Sequence, residues 1–411
     1  MHQIYNIAVH IASFFLRLIA LFNPKIKLFV DGRKDVLSTL NQRLSQSDET
    51  IWIHTASLGE FEQGLPIIEQ IKAAYPNFKI VVTFFSPSGY EVKKNTPVAD
   101  LVTYLPMDTL GNAKRFIEAL QPKLAIFVKY EIWPSYLKTL KEKEIPTLLI
   151  SAFFKEKQVF FKWYGRFMRK SLSAFSHFFV QDENSKTLLK TLIINNVTIG
   201  GDTRFDRVSE ILLQDNSLDF MQAFKQNKTC FVAGSTWPED ENILVDYINQ
   251  SSHSLKFVLA PHTMKAQKLQ QLTQSISKKA VLYSQIDLNT IADFDVLIVD
   301  TIGLLTKIYS YADIAYVGGA YSTGLHNTLE PAVFGIPIII GPNFNGFKEA
   351  EDLVRLKGII PTHSPIGFKN VMDNLIQNQE YYSKTGHINQ SYVANNKGAS
   401  IQIINYIRTL L

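Results

Sequence analysis

Cysteine is nearly absent from this chain of 411 residues: Cys230 stands alone, so no internal disulfide can form and a disulfide-stapled scaffold is excluded. A reducing compartment fits that count. Charge is scarce too. Lys, Arg, Asp and Glu make up 19% of the residues, against about 25% in typical soluble domains, and 42 basic against 37 acidic residues leave a net charge of only +5. That balance argues against a nucleic-acid partner and leaves room for local cationic patches facing anionic lipid or phosphate. There is no GxxxxGK[ST], no GxGxxG after a strand, no HExxH and no paired CxxC, so P-loop hydrolysis, the standard dinucleotide fingerprint and the common zinc sites lack support. Low-complexity tracts and short tandem repeats are missing as well. What is abundant is apolar: 46% hydrophobic residues, with 28 Phe, 17 Tyr and 4 Trp. Such a chain is not disordered, and its length predicts two or three domains at roughly 100–200 residues each.

Short β-branched runs alternate with helix-like segments along the whole chain. The first half carries them at Thr50–His54, Lys79–Phe84, Leu101–Tyr104, Leu124–Val128, Thr147–Ser151 and His177–Gln181. The second half repeats the rhythm at Cys230–Ala233, Lys256–Ala260, Val296–Val299, Ile314–Val317 and Pro337–Ile340. Strands alternating with helices predict parallel sheets, here two doubly wound α/β domains joined near Arg207–Lys228, with ligand expected in a cleft at the carboxyl ends of the strands. The expected division is a helix in residues 1–28, a first domain over 29–208 and a second over 209–411.

Between Ile4 and Phe22 the only polar residues are Asn6, His10, Ser13 and Arg17, spaced so that they form one stripe of a helix. Arg17 lies inside the apolar run and Asn23-Pro24-Lys25 follows it, which is not the layout of a cleaved signal peptide. The segment reads as a retained helix embedded in, or lying on, a bilayer; the competing readings are a core helix with its polar stripe in water and a full membrane span. Phe153–Phe179 interleaves ten aromatic residues with Lys155, Lys157, Lys162, Arg166, Arg169 and Lys170, a mixture suited either to a bilayer interface or to a buried helix with a solvated cationic side.

Several carboxylates sit where strands end. In WIHTASLGEFEQG, Glu60 either closes a Ser57-x-x-Glu60 capping box or, with no cation beside it in sequence, serves as a general base. In KYEIWP, Glu131 follows the apolar run LAIFV, where a carboxylate must be solvated or face ligand. In GGDTRFDRV, Arg204 can hold a phosphate or pair with Asp202 or Asp206. The turn Gly234-Ser235-Thr236 offers amides and hydroxyls to an anion. Asn327 and Glu330, three apart in LHNTLEPA, suit a phosphate and a ribose diol. His326 with Glu330 has metal-ligand spacing but two ligands make no site, and Asp293-Phe294-Asp295 reads as a solvated turn rather than a metal motif, so no metal or cofactor is expected.

Taken in order, HTASLGE, TFFSPSGY, YLPMD, KYEIWP, GDTRFD, AGSTWPEDE, LAPH, DTIG, VGGA and HNTLEPA resemble the Kdo transferases of lipid A assembly, enzymes that move 3-deoxy-D-manno-oct-2-ulosonic acid (Kdo) from its CMP ester to a lipid A precursor. The resemblance covers nearly the whole chain. It implies a GT-B fold of two Rossmann-like domains, with an N-terminal membrane-facing helix, on the cytoplasmic face of a Gram-negative inner membrane. The partners it implies are CMP-Kdo, a lipid A precursor and a membrane surface. It also implies roles: Glu60 as general base, Glu131 and Arg204 as transition-state stabilisers, and Ser57, Gly59, Ser86 and Ser88 among the substrate-binding residues. On the donor side it implies Gly234, Ser235, Pro261, His262, Ile302, Gly303, Leu304, Asn327, Thr328, Leu329 and Glu330. Three departures stand out: the family commonly has Lys at Arg204, Arg at His262, and Met-Gly-Glu at Ile302-Gly303-Leu304. Two other functions fit parts of the same pattern, a GT-B glycosyltransferase or epimerase using a UDP-sugar, and a non-catalytic membrane-associated nucleotide-binding protein.

Overall fold

A computed structural model describes residues 1–322 and 324–411 of the chain. They form two compact units, Met1–Arg207 together with Lys397–Leu411, and Val208–Asn396. Each is built on one seven-stranded, wholly parallel sheet.

The first sheet contains β1 (Thr50–Thr55), β2 (Lys79–Phe84), β3 (Leu101–Tyr104), β4 (Pro122–Val128), β5 (Thr147–Ala152), β6 (His177–Val180) and β7 (Val197–Ile199), in the order β3-β2-β1-β4-β5-β6-β7. β1 is buried along its entire length because helices cover both faces, which is why such strands read as continuous apolar runs. Side-chain alternation divides the burial. Ile51 and Ile53 pack with Phe61, Ile67 and Ile126 on one face, while Trp52 packs with Phe116, Phe127 and Tyr136 on the other. The order reverses direction at β1 and β4, the switch point where open α/β sheets bind ligand at their carboxyl ends.

The second sheet contains β8 (Thr229–Thr236), β9 (Leu255–Pro261), β10 (Ala280–Leu282), β11 (Val296–Ile298), β12 (Ile314–Val317), β13 (Ile338–Ile340) and β14 (Ile359–Pro361), in the order β10-β11-β9-β8-β12-β13-β14. The eleven strands expected from sequence are all present. β7, β10 and β14 are additional, each of three residues and each at a sheet edge, where little apolar sequence is needed because one side of the strand has no neighbour. The joining stretch expected at 207–228 overlaps the helix Thr203–Ile211 and contains the helix Asp219–Lys225. The last helix, Ala399–Ile407, lies in the first unit, where Ile403, Ile404 and Ile407 join the core with Phe61 and Ile68; the sequence division had placed everything after 208 in the second domain.

The N-terminal helix, His2–Ile19, buries none of its residues, unlike a core helix with its polar stripe in water. Polar contacts hold it. The Tyr5 hydroxyl donates to Asp108 Oδ2 at 2.7 Å, Asn6 Oδ1 accepts from the Leu110 amide at 2.9 Å, and the His2 and Tyr5 rings meet Phe167 at 5.7 and 5.4 Å. Ile4, Ile7, Ile11, Phe14, Phe15, Leu18 and Ile19 are exposed on it. A second helix, Pro24–Asp31, crosses the expected boundary at residue 28. Among the described residues no helix is long and apolar enough to cross a membrane. Half of the rings of the aromatic stretch Phe153–Phe179 are core: Phe154, Phe160, Phe175, Phe178 and Phe179 are buried, and Trp163 and Tyr164 are the large exposed rings there.

Candidate active site

In the first unit β1 runs into Ala56-Ser57, and the helix Leu58–Ala74 begins there. Glu60, in its first turn, accepts a hydrogen bond from the Ser57 amide at 2.9 Å, so the capping contact expected from sequence is made. It does not hold the carboxyl in its ordinary range. Burial, and after it the negative charge of Glu131, push Glu60 up to about 7, against the Ala56 and Ser57 amides and the Lys129 charge. A carboxyl poised there is ionised for a large fraction of the time near neutrality and still basic enough to accept a proton. Capping and proton transfer are therefore compatible uses of this side chain. Gly59 is exposed and open, with nothing close to the position a Cβ would take.

Glu131 follows β4 across Lys129, which sits in the left-handed region at φ 67°, an uncommon position for a residue with a side chain. Its carboxylate is nine-tenths buried and Oε2 is held twice, by Trp133 Nε1 at 2.7 Å and by His54 Nε2 at 3.1 Å. Tyr130, between them, has its phenol raised by burial, and Arg204, Asp202 and Glu60 act on it electrostatically, which groups all of these at one end of the sheet. Arg204 pairs with Asp202, Nη2 to Oδ2 at 2.8 Å and Nε to Oδ2 at 2.9 Å. Burial works to raise Asp202, but the Arg204 charge and the hydrogen bonds from Arg204 and Gln63 outweigh it and hold the carboxyl below its usual range. Of the two pairings open for Arg204 in the sequence, the one with Asp202 is thus made, and Asp206 instead accepts from the Gly398 and Ser400 amides. At the end of β2, Ser86 caps the helix Pro87–Lys93 and its hydroxyl lies 2.8 Å from that of Ser88.

In the second unit the expected turn at Gly234 is part of β8, which continues to Thr236 through a bulge at Ser235, itself at φ 56°. Glycine is required at 234 because a Cβ would stand 2.1 Å from the Tyr309 hydroxyl. His262 follows β9, donates its amide to Thr236 O at 2.9 Å, and stacks on Trp237 at 4.7 Å and 24°. His326 closes the same cluster, 4.8 Å from the His262 ring, with its Nε2 accepting from Trp237 Nε1 at 3.0 Å. Asp240 anchors the base of it, accepting from the Trp237 amide, the Gly319 amide and the Tyr316 hydroxyl. Pro261 ends β9, and Ile302-Gly303-Leu304 forms the loop after β11, Gly303 at φ 94° and Ile302 exposed. Asn327 and Glu330 meet directly, Nδ2 to Oε1 at 3.1 Å; the other Glu330 oxygen accepts from Thr306 at 3.1 Å. Thr328 and Leu329 are buried beneath them. Asp293 and Asp295 lie before β11, at the amino end of the sheet and away from these loops. Among the described residues no three His, Cys, Asp or Glu side chains gather as a metal site would need.

Sequence reasoning missed His54, Tyr130, Trp133 and Trp237. A signal existed for His54, since a histidine inside an otherwise apolar buried strand needs partners at both ring nitrogens.

Residues 34–207 match the family model of 3-deoxy-D-manno-octulosonic-acid transferase (kdotransferase). The 3-deoxy-D-manno-octulosonic acid transferase of Haemophilus influenzae is 28% identical over 386 residues, 88% of this chain and 87% of that protein. That of Rickettsia felis is 29% identical over 354 residues, 84% of this chain and 74% of its own, and that of Aquifex aeolicus 28% over 324 residues, 77% and 83%. Among solved structures, UDP-GlcNAc 2-epimerase from Neisseria meningitidis bound to UDP-GlcNAc superposes with a TM-score of 0.62 at 16% identity, covering 88% of this chain and all of that one. MurG of Acinetobacter baumannii gives 0.55 at 10% identity, covering 88% and 99%. At such identities these structures speak to fold alone, the two-domain α/β fold of the GT-B type.

Proposed function

The chain belongs to the Kdo transferase family, glycosyltransferases of the GT-B type, and from that premise we propose that it transfers Kdo from CMP-Kdo to a lipid A precursor, lipid IVA, with inversion at the anomeric carbon. The observation that carries this reading is Glu60: a half-buried carboxyl at a strand's carboxyl end, poised at about 7, with a second carboxylate acting on it. Glu60 takes the proton from a primary hydroxyl of the acceptor as that oxygen attacks the anomeric carbon. The bond from that carbon to the CMP phosphate breaks and CMP departs with the bonding pair. Positive character grows on the sugar ring, which Glu131 stabilises, and negative charge grows on the leaving phosphate.

The Gly234-Ser235 backbone and Asn327 offer amide dipoles to that phosphate, and Arg204 is the cation assigned to the transition state; CMP has a single phosphate, whose charge a guanidinium and amide dipoles suffice to neutralise. Pro261, His262, Ile302, Gly303, Leu304 and Thr328 to Glu330 bind the nucleotide. With Leu at 304, contacts from that loop come from backbone. The apolar side of the helix His2–Ile19 lies on the cytoplasmic face of the inner membrane, where the acceptor resides; its exposed Ile and Phe residues support this placement. The test is Glu60→Gln, which lowers turnover by about 10²–10⁴ with CMP affinity kept. Turnover within threefold of the parent would remove Glu60 from the role of base.

A further inference from the structure

His54 stands in the middle of the first sheet with its side chain fully buried. Its Nε2 is 3.1 Å from Glu131 Oε2 and its Nδ1 is 2.8 Å from Thr83 Oγ1, which is in turn 2.8 Å from Trp52 Nε1. The direction of each bond follows from what each group can do. An indole N–H only donates, so the Thr83 oxygen accepts from Trp52 and keeps its own hydrogen for Nδ1. Nδ1 is then an acceptor, and a neutral imidazole must carry its hydrogen on Nε2, where it donates to Glu131. The reverse arrangement would set an Nε2 lone pair against a carboxylate and strand the Thr83 hydrogen, costs that a buried site does not absorb.

The frame is rigid. His54 and Thr83 are register partners on adjacent strands, Trp52 lies on the same face of β1, and the His54 ring packs edge-on against Phe127 and Trp133. The Trp133 indole holds the same Glu131 oxygen and has its own support from Phe85, whose ring lies 4.6 Å away. Two fixed N–H donors therefore converge on Oε2, leaving Oε1 as the oxygen turned to other use.

We propose that His54 is a positioning residue for Glu131. Held as the Nε2–H tautomer by Thr83 and Trp52, it fixes the carboxylate so that Oε1 faces the cationic centre of the sugar during transfer. This rests on the reading of Glu131 as a transition-state stabiliser.

The tautomer is read directly by nitrogen NMR on the full chain carrying ¹⁵N-labelled histidine, with no substitution needed. The expected signature, recorded at pH 8, is a protonated Nε2 and an unprotonated Nδ1; an Nδ1–H tautomer overturns the proposal. Kinetics then separate positioning from packing. His54→Gln keeps an N–H donor on the Glu131 side and should stay within about threefold of the parent. His54→Met keeps volume without the donor and should lose about tenfold to a hundredfold in kcat, the worth of one hydrogen bond to a charged group, at unchanged KM for the donor. Equal losses in both variants, or an unchanged kcat in the Met variant, overturn the positioning role. Failure of the transferase reading looks different: the parent chain itself then releases no CMP in the presence of acceptor.

Discussion

The ionisation of Glu60 has consequences for rate and for stability, and they run in opposite directions with pH. Its carboxyl rises from an ordinary 4.5 to about 7, through burial first and the Glu131 charge second. At 1.36 kcal/mol per tenfold in proton affinity this corresponds to about 3 kcal/mol of preference for the protonated form in the folded chain. A base must be ionised, so kcat/KM should climb about tenfold between pH 6, where about one Glu60 in eleven is charged, and pH 8, where about ten in eleven are. For stability, the folded state binds more protons than the unfolded between about 4.5 and 7. The Glu60 contribution to unfolding free energy therefore falls as pH rises through that window and is flat outside it. Glu60→Gln abolishes the effect: at pH 8 the variant should be more stable than the parent by up to about 3 kcal/mol, and at pH 4 about equal. Denaturant unfolding at the two pH values measures this, and the carboxyl carbon resonance lost in the Gln variant reports the titration itself, free of phosphate groups on the substrates. A Glu60 resonance that titrates below 5, or a rate profile flat from pH 5.5 to 8.5 in a folded enzyme, would show that Glu60 is not the base whose ionisation sets the rate.

Two further outcomes follow from the N-terminal helix. Tyr5→Phe removes one donor from the buried Asp108 carboxylate, and the helix His2–Ile19 should exchange its amide hydrogens faster, by the equivalent of about 1–3 kcal/mol, while the midpoint of global unfolding changes little; unaltered exchange would show that Asn6 and the rings hold the helix without Tyr5. Deleting Met1–Asn23 removes the exposed Ile, Leu and Phe side chains and should abolish sedimentation with anionic vesicles; a truncated chain that still pelleted would assign lipid binding to another surface.

Much of the fold was legible because parallel strands covered on both faces must be apolar for their whole length, and a run such as LAIFV announces itself. The edge strands β7, β10 and β14 carry three residues each, too few to separate from loop. Aromatic composition left two readings open at Phe153–Phe179, an interface or a buried helix: half of these rings fill the core, and composition does not record which way a side chain faces. The C-terminal helix returns to the first unit through long-range packing of Ile403, Ile404 and Ile407, which no local pattern encodes.

The site divided in the same way. Glu131 could be found because a carboxylate close after an apolar strand is costly unless it is used, and Glu60 because it stands in the turn from a strand to a helix with no cation beside it in sequence. Arg204 could be found, but its partner could not, since Asp202 and Asp206 are equally near in sequence and only the fold turns Asp206 toward Gly398 and Ser400. For His54 the sequence signalled a need for partners but could not name them. Its partners, Thr83 and Glu131, lie on neighbouring strands far along the chain, and its contribution is a direction of hydrogen bonding rather than a motif.

The central claim is tested most directly by incubating the purified full-length chain with CMP-Kdo and a lipid A precursor in mixed micelles, then following CMP release and the mass of the lipid. A Kdo transferase releases CMP stoichiometrically with one or more Kdo residues added to the lipid, and Glu60→Gln loses both. The claim is contradicted if the lipid mass is unchanged while the chain binds UDP in preference to CMP and converts a UDP-sugar.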